Sequence, residues 1–162
     1  MDDNSIENAK NILRRCRAKD KRIKLYFSKI RNEDRLKTTR YAVNINIALR
    51  ASSNPLITYL TDDCGMYRNK LQDMVHWMHN HPNTNFCYGT QKVVNRKGKK
   101  LFTRGGFGVV KNPSGVLDHN QIMFRRRVLK KVGLWPEGAR NLCMKDAEWF
   151  TMVVRKGYKF YP

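Results

Sequence analysis

Two apolar periods alternate along this chain, and that alternation restricts its fold more than any other feature. Residues 23–27 (IKLYF), 56–60, 86–94, 121–124 and 158–161 are short runs of strand formers. Between them, apolar residues recur at helical spacing: Ile6, Ala9, Leu13 and Cys16; Tyr41, Ile45, Ala48 and Leu49; Leu71, Met74, Val75 and Met78. Further helices are expected at 126–132 and 145–155. Strand and helix in turn predict an α/β layered fold. The 162 residues fit one domain, and a hydrophobic fraction of 41% is enough for a core. The punctuation agrees with these limits. Ser5 is placed to cap the first helix. Asn54-Pro55 and His81-Pro82 end the second and third, and Gly133 ends a fourth. Arg96-Lys97-Gly98 reads as a hairpin turn, and Gly105-Gly106-Phe107-Gly108 as a flexible loop.

The fourth apolar-to-polar transition carries chemistry. Residues 57–63 read ITYLTDD, a strand ending in two adjacent carboxylates, in a chain with 33 Lys plus Arg and 13 Asp plus Glu. Like charges repel and lose solvation together, so a positive species is expected between them, either a basic side chain or a metal ion. Asp2-Asp3 is a second pair, just before a helix. Ligands of open α/β sheets bind beyond the carboxyl ends of the strands. Oxygen ligands there suit Mg2+ or Mn2+ bridging to a diphosphate. The competing explanation is that acids favour loops and helix N-termini in any protein.

The net charge of +20 attracts phosphates, nucleic acid or an anionic membrane surface, and fourteen of the basic residues lie in the first 50 positions. Aromatic residues do not interleave with that basic run, which argues against nucleic acid as a partner. The alternative function class is a non-catalytic basic module for nucleic acid or another anionic polymer. No apolar run approaches the roughly 20 residues that span a bilayer. Cys16, Cys64, Cys87 and Cys143 form no CxxC pair and read as reduced thiols of a cytoplasmic protein. His76, His79, His81 and Cys87 match no common zinc spacing. Trp135 is either a sugar-stacking ring or a core residue.

Several segments taken in order resemble family 2 glycosyltransferases of the GT-A fold. MDDNS is similar to the nucleotide-binding acidic loop of that family, and TTRYAVNINIAL to the helix that follows. ITYLTDD with MYRNKLQDMV resembles the metal-binding segment. VLDHNQIMFRRRVLKKVG resembles the acceptor side, KDAEWF the segment bearing the catalytic base, and GYKFYP the closing residues. The resemblance implies a three-layer α/β/α sandwich with a mixed sheet. It implies an inverting transfer of a sugar from a nucleoside-diphosphate sugar of UDP or dTDP type to a saccharide acceptor, in cell-surface or spore polysaccharide synthesis. Asp3 would accept a hydrogen bond from the base, with Arg40 close to the nucleotide. Asp62 would contact the ribose or the groups that surround the metal ligands, and Asp63 would coordinate Mn2+ or Mg2+. Asp118 and His119 would line the sugar or acceptor pocket. Asp146 would be the general base, its pKa modestly raised by burial beside Trp149 and Phe150. By residue pattern alone Asp146 is a helix cap.

The resemblance also implies a division into a nucleotide-binding part, 1–63, and an acceptor-side part, 64–162. Family members have a strand and helix before the acidic loop and continue past residue 162. An incomplete domain lacking that first strand and helix is therefore expected, with weak or no activity and an open sheet edge prone to self-association; the basic charge adds an expected contact with the inner membrane surface.

Overall fold

The computed structural model describes residues 1–34, 37–138 and 144–162. In chain order the main elements are α1 (Glu7–Lys19), α2 (Arg40–Ala51), β1 (Leu56–Thr58), α3 (Lys70–Asn80), β2 (Phe86–Tyr88), β3 (Gln91–Val94), β4 (Lys100–Arg104), β5 (Ile122–Arg125), α4 (Leu129–Val132) and α5 (Lys145–Arg155). The chain divides into two compact units. The first is Met1–Ser53 with Trp135–Lys145, and the second is Asn54–Leu134 with Asp146–Pro162.

The second unit is a three-layer sandwich. Its sheet has the order β1-β5-β2, all antiparallel. Phe124 of β5 lies opposite both Ile57 and Phe86. Because successive residues of a strand point to opposite faces, Phe124 and Met123 serve different layers. On one face Met123 and Cys87 pack with Met74 and Met78 of α3. On the other, Phe86 and Phe124 stack at 5.5 Å and meet Trp149 of α5 and Phe160. Each of these buried side chains contributes about 1.5–3 kcal/mol by leaving water. A parallel bridge from Cys87 to Tyr161 and an antiparallel one from Val110 to Phe160 make the sheet mixed. The Arg125 guanidinium donates to the carbonyls of Thr84, at 2.8 Å, and Met78, capping the open end of α3 with a positive charge.

In the first unit, α2 buries Ala42 and Leu49, and its Asn46 amide donates to the carbonyl of Trp135 (2.8 Å) and accepts from that residue's amide (2.9 Å). Trp135 is therefore a core residue, edge-on to Tyr41. Helix α1 buries no residue.

Four local expectations change. Residues 23–27 form no strand: the Ile23 amide turns back to the Asp20 carbonyl, and the Asp2 amide donates to the Tyr26 carbonyl, giving one parallel bridge at Phe27. Residues 86–94 split at Gly89, whose amide donates to the Gln121 carbonyl, so β2 and β3 belong to different sheets. Residues 158–161 contribute bridges and not a full strand. Ser5 is not the cap of α1. Ile6 holds that position, and the Ser5 amide donates to Asp2 Oδ2 at 3.1 Å.

Candidate active site

In the second unit β1 runs into Thr61-Asp62-Asp63, on the wall of a cleft of about 810 Å³ that Lys70, Arg104, Asp118 and His119 also line. Neutral groups hold the acidic loop. The Thr61 hydroxyl donates to Asp63 Oδ1 at 2.6 Å and accepts from Asn120 Nδ2 at 3.0 Å, while its amide donates to Asn120 Oδ1 at 2.9 Å. Asp62 and Asp63 stay exposed. The Thr61 hydroxyl, with the neighbouring Cys64 thiol, holds the Asp63 carboxyl below its ordinary value against a small opposing effect of burial. Lys70 donates its ammonium to the Asn120 carbonyl, and burial lowers its pKa.

The facing residues come from the turn before β5. Asp118 caps a short 3-10 turn, His119–Gln121. It accepts from the Asn120 amide at 2.8 Å, while its own amide donates to Gln121 Oε1 at 2.9 Å. Gln121 in turn donates to the carbonyls of Gly89 and Arg104. A Cβ on Gly105 would come within 3.1 Å of that Gln121 amide, so the loop after β4 needs glycine there, at a positive φ. Tyr88 fixes the same loop, donating its hydroxyl to the Gly108 carbonyl at 2.7 Å. Arg104 reaches Asp118 at 3.5 Å.

His119 Nδ1 lies 3.8 Å from Asp118 and 3.9 Å from Asp146, and its ring meets Tyr59 edge-on. Asp146 sits in the first turn of α5 and accepts from the Ala147 amide at 2.8 Å. Its carboxyl is held below the usual value, first by the neighbouring His119 imidazole and then by the Ala147 amide, against the opposing effect of burial. The expected rise is thus reversed: burial does push upward, but the adjacent imidazole outweighs it.

Asp3 and Arg40 are together in the first unit. The Arg40 guanidinium donates to Asp3 Oδ1 and to the Asp3 carbonyl, at 2.9 and 2.8 Å.

No cluster of three or more metal-ligating side chains occurs among the described residues. His76 pairs with Asn80 and His81 stacks on Trp77, so the zinc spacing has no structural counterpart there. Mg2+ and Mn2+ ask for less, one or two carboxylates completed by water and substrate phosphates. The exposed Asp62 and Asp63 oxygens on the cleft wall fit that requirement. Sequence reasoning missed Lys70, Arg104, Gln91 and Asn120. Gln91 Oε1 is buried in the cleft wall with no partner among the described residues. Only Asn120 had a local signal, the D-x-N spacing of a self-capped turn.

The profile of the family described as Glycosyl transferase family 2 matches residues 1–133. The chain belongs to that family, and its α/β architecture is the GT-A fold. Asp146 lies beyond the matched residues. The chain is also similar to Protein CgeD of Bacillus subtilis (strain 168), 32% identical over 162 residues. That alignment covers 94% of this chain and 38% of the relative, so the chain spans little more than a third of that protein.

Proposed function

We propose that this chain transfers a sugar from a nucleoside-diphosphate sugar to an acceptor hydroxyl, with inversion at the anomeric carbon. The convergence of Asp62 and Asp63 with Asp118 and His119 around one cleft, with Asp146 against His119, supports this most directly. In the reaction, the acceptor oxygen forms a bond to the anomeric carbon as the bond to the diphosphate oxygen breaks. The acceptor proton passes to the Asp146 carboxylate, which is ionised and partly exposed. The diphosphate leaves with the bonding electron pair. Asp63 would hold a divalent cation, Mn2+ or Mg2+, which would supply Lewis-acid stabilisation of that charge.

Asp3 accepts a hydrogen bond from the uracil or thymine base, with Arg40 orienting its carboxylate. Asp62 contacts the ribose, while Asp118 and His119 position the acceptor. The chain acts in the cytoplasm, in cell-surface or spore polysaccharide synthesis, and its nucleotide-binding and acceptor-side parts divide near residue 63. The net charge of +20 favours an anionic surface as its working place.

Calorimetric titration with uridine diphosphate, with and without Mn2+ and beside Asp63→Ala, tests this reading. Binding is expected to need both the cation and Asp63. Binding indifferent to both, or none by a folded chain, would overturn it.

A further inference from the structure

The sequence holds no Asp or Glu between Asp73 and Asp118, and the middle of this acid-free stretch is the β3–β4 hairpin and the loop after it. Residues 91–111 carry seven Lys or Arg. Lys92, Arg96, Lys97, Lys99, Lys100 and Lys111 are all exposed. Arg104 is the exception, reaching Asp118 at 3.5 Å with its guanidinium over the Phe102 ring.

Large apolar side chains stand among these charges. Leu101 is 58% exposed, Phe102 48% and Phe107 60%, with Val94 and Val109 similarly open. The pairing of the hairpin explains why. Phe102 pairs with Val93, while the register shift between Val93 and Val94 leaves Leu101 without a directly opposed partner. A two-stranded ribbon cannot cover both of its own faces. A solvated basic face would normally carry polar neighbours here, and a dissolved anionic polymer gives leucine and valine nothing to pack on. A bilayer surface accommodates both kinds of side chain. Anionic headgroups attract the lysines, and Phe and Leu enter the acyl boundary beneath them.

From this charge complementarity we propose that the β3–β4 hairpin and the loop through Lys111 dock on an anionic lipid bilayer, with Leu101, Phe102 and Phe107 inserting. This does not depend on the transferase reading. Since Gln91, Lys92 and Arg104 also line the cleft, docking places the cleft beside the membrane.

The test is co-sedimentation of the whole chain with phosphatidylcholine vesicles, with and without phosphatidylglycerol. Four proteins are compared: the unmodified chain, Leu101→Ser with Phe102→Ser, Lys97→Glu with Lys99→Glu, and a control, Arg15→Glu with Arg17→Glu on α1. All these side chains are exposed, and circular dichroism checks that each variant stays folded. The expected result is binding that requires phosphatidylglycerol, falls about tenfold or more in each hairpin variant, and falls less in the control. Three results would overturn the proposal: no vesicle binding, a loss greatest in the α1 control, or full binding by the Leu101/Phe102 variant. A hairpin-dependent preference for a single-stranded oligonucleotide over these vesicles would also reject it, in favour of base stacking on the same rings.

Discussion

The two units hold their acids in opposite ways. Asp3, in the first, is bound to a cation: Arg40 is nearly buried and uses two donor groups on this one residue. In the second unit, Asp63 is held by the neutral Thr61 hydroxyl. Two basic side chains that line the same cleft are occupied elsewhere, Lys70 on the Asn120 carbonyl and Arg104 on Asp118. A carboxylate already neutralised by a guanidinium gains little from a metal ion. Its remaining lone pairs suit hydrogen-bond donors, such as the N–H of a nucleotide base. A carboxylate oriented by a hydroxyl keeps its full charge and stays available to a cation. The field around each acid thus differs in a way that the bare letters D-D do not show.

The sharpest test within the second unit concerns Asp146. Asp146→Asn keeps the shape and removes the proton acceptor, so kcat is expected to fall about 10²–10⁴-fold with nucleotide affinity unchanged. The pH profile adds a sign. Because the Asp146 pKa is lowered from 3.8, the carboxylate stays charged throughout the neutral and mildly acidic range. An acidic limb in kcat due to Asp146 itself therefore appears only below about pH 3.8. Stability follows the same direction. The contribution of this ionised group is present above the unfolded value and is lost as pH falls through the lower folded one. An acidic limb near neutrality that Asp146→Asn leaves in place would assign the proton transfer to another group.

The contrast between units can also be broken by stability. Arg40→Ala leaves Asp3 without its cation and removes a nearly buried side chain, and about 2 kcal/mol of unfolding free energy is expected to be lost. Asp63→Ala removes an exposed carboxylate and is expected to change stability by no more than about 0.5 kcal/mol while abolishing Mn2+-dependent nucleotide binding. Denaturant unfolding of the two variants measures the difference. Equal losses would mean that Asp63 is as much a structural group as Asp3.

Legibility in the sequence followed the range of the interactions. The helices α2 and α3 were readable because periodicity and their stop signals are local. The acidic loop at the end of β1 was readable because the charge pair is anomalous in so basic a chain. Strand limits were not. Whether residues 86–94 make one strand or two depends on the Gln121 carbonyl, 32 positions from Gly89. The direction of the Asp146 shift was hidden for the same reason, since His119 is distant in sequence but 3.9 Å away in space. Arg104, Lys70 and Gln91 carried no local signal, because their place on the cleft exists only after β3, β4 and α3 are assembled.

The smallest expected effect is at Ser5, where local reading chose the wrong partner. A serine N-cap accepts a hydrogen bond from a helix amide through its hydroxyl, and its loss costs about 1 kcal/mol. Here the bond runs from the Ser5 backbone amide to Asp2 Oδ2, and the side chain caps nothing. Ser5→Ala keeps that amide, so the change is expected to stay within about 0.5 kcal/mol. Asp2→Asn keeps an acceptor oxygen but loses the charge that strengthens the bond, and should cost more. Comparing the two by thermal unfolding separates a capped helix from an acidic loop that pins the chain ahead of it. A larger loss from Ser5→Ala would restore serine as the cap.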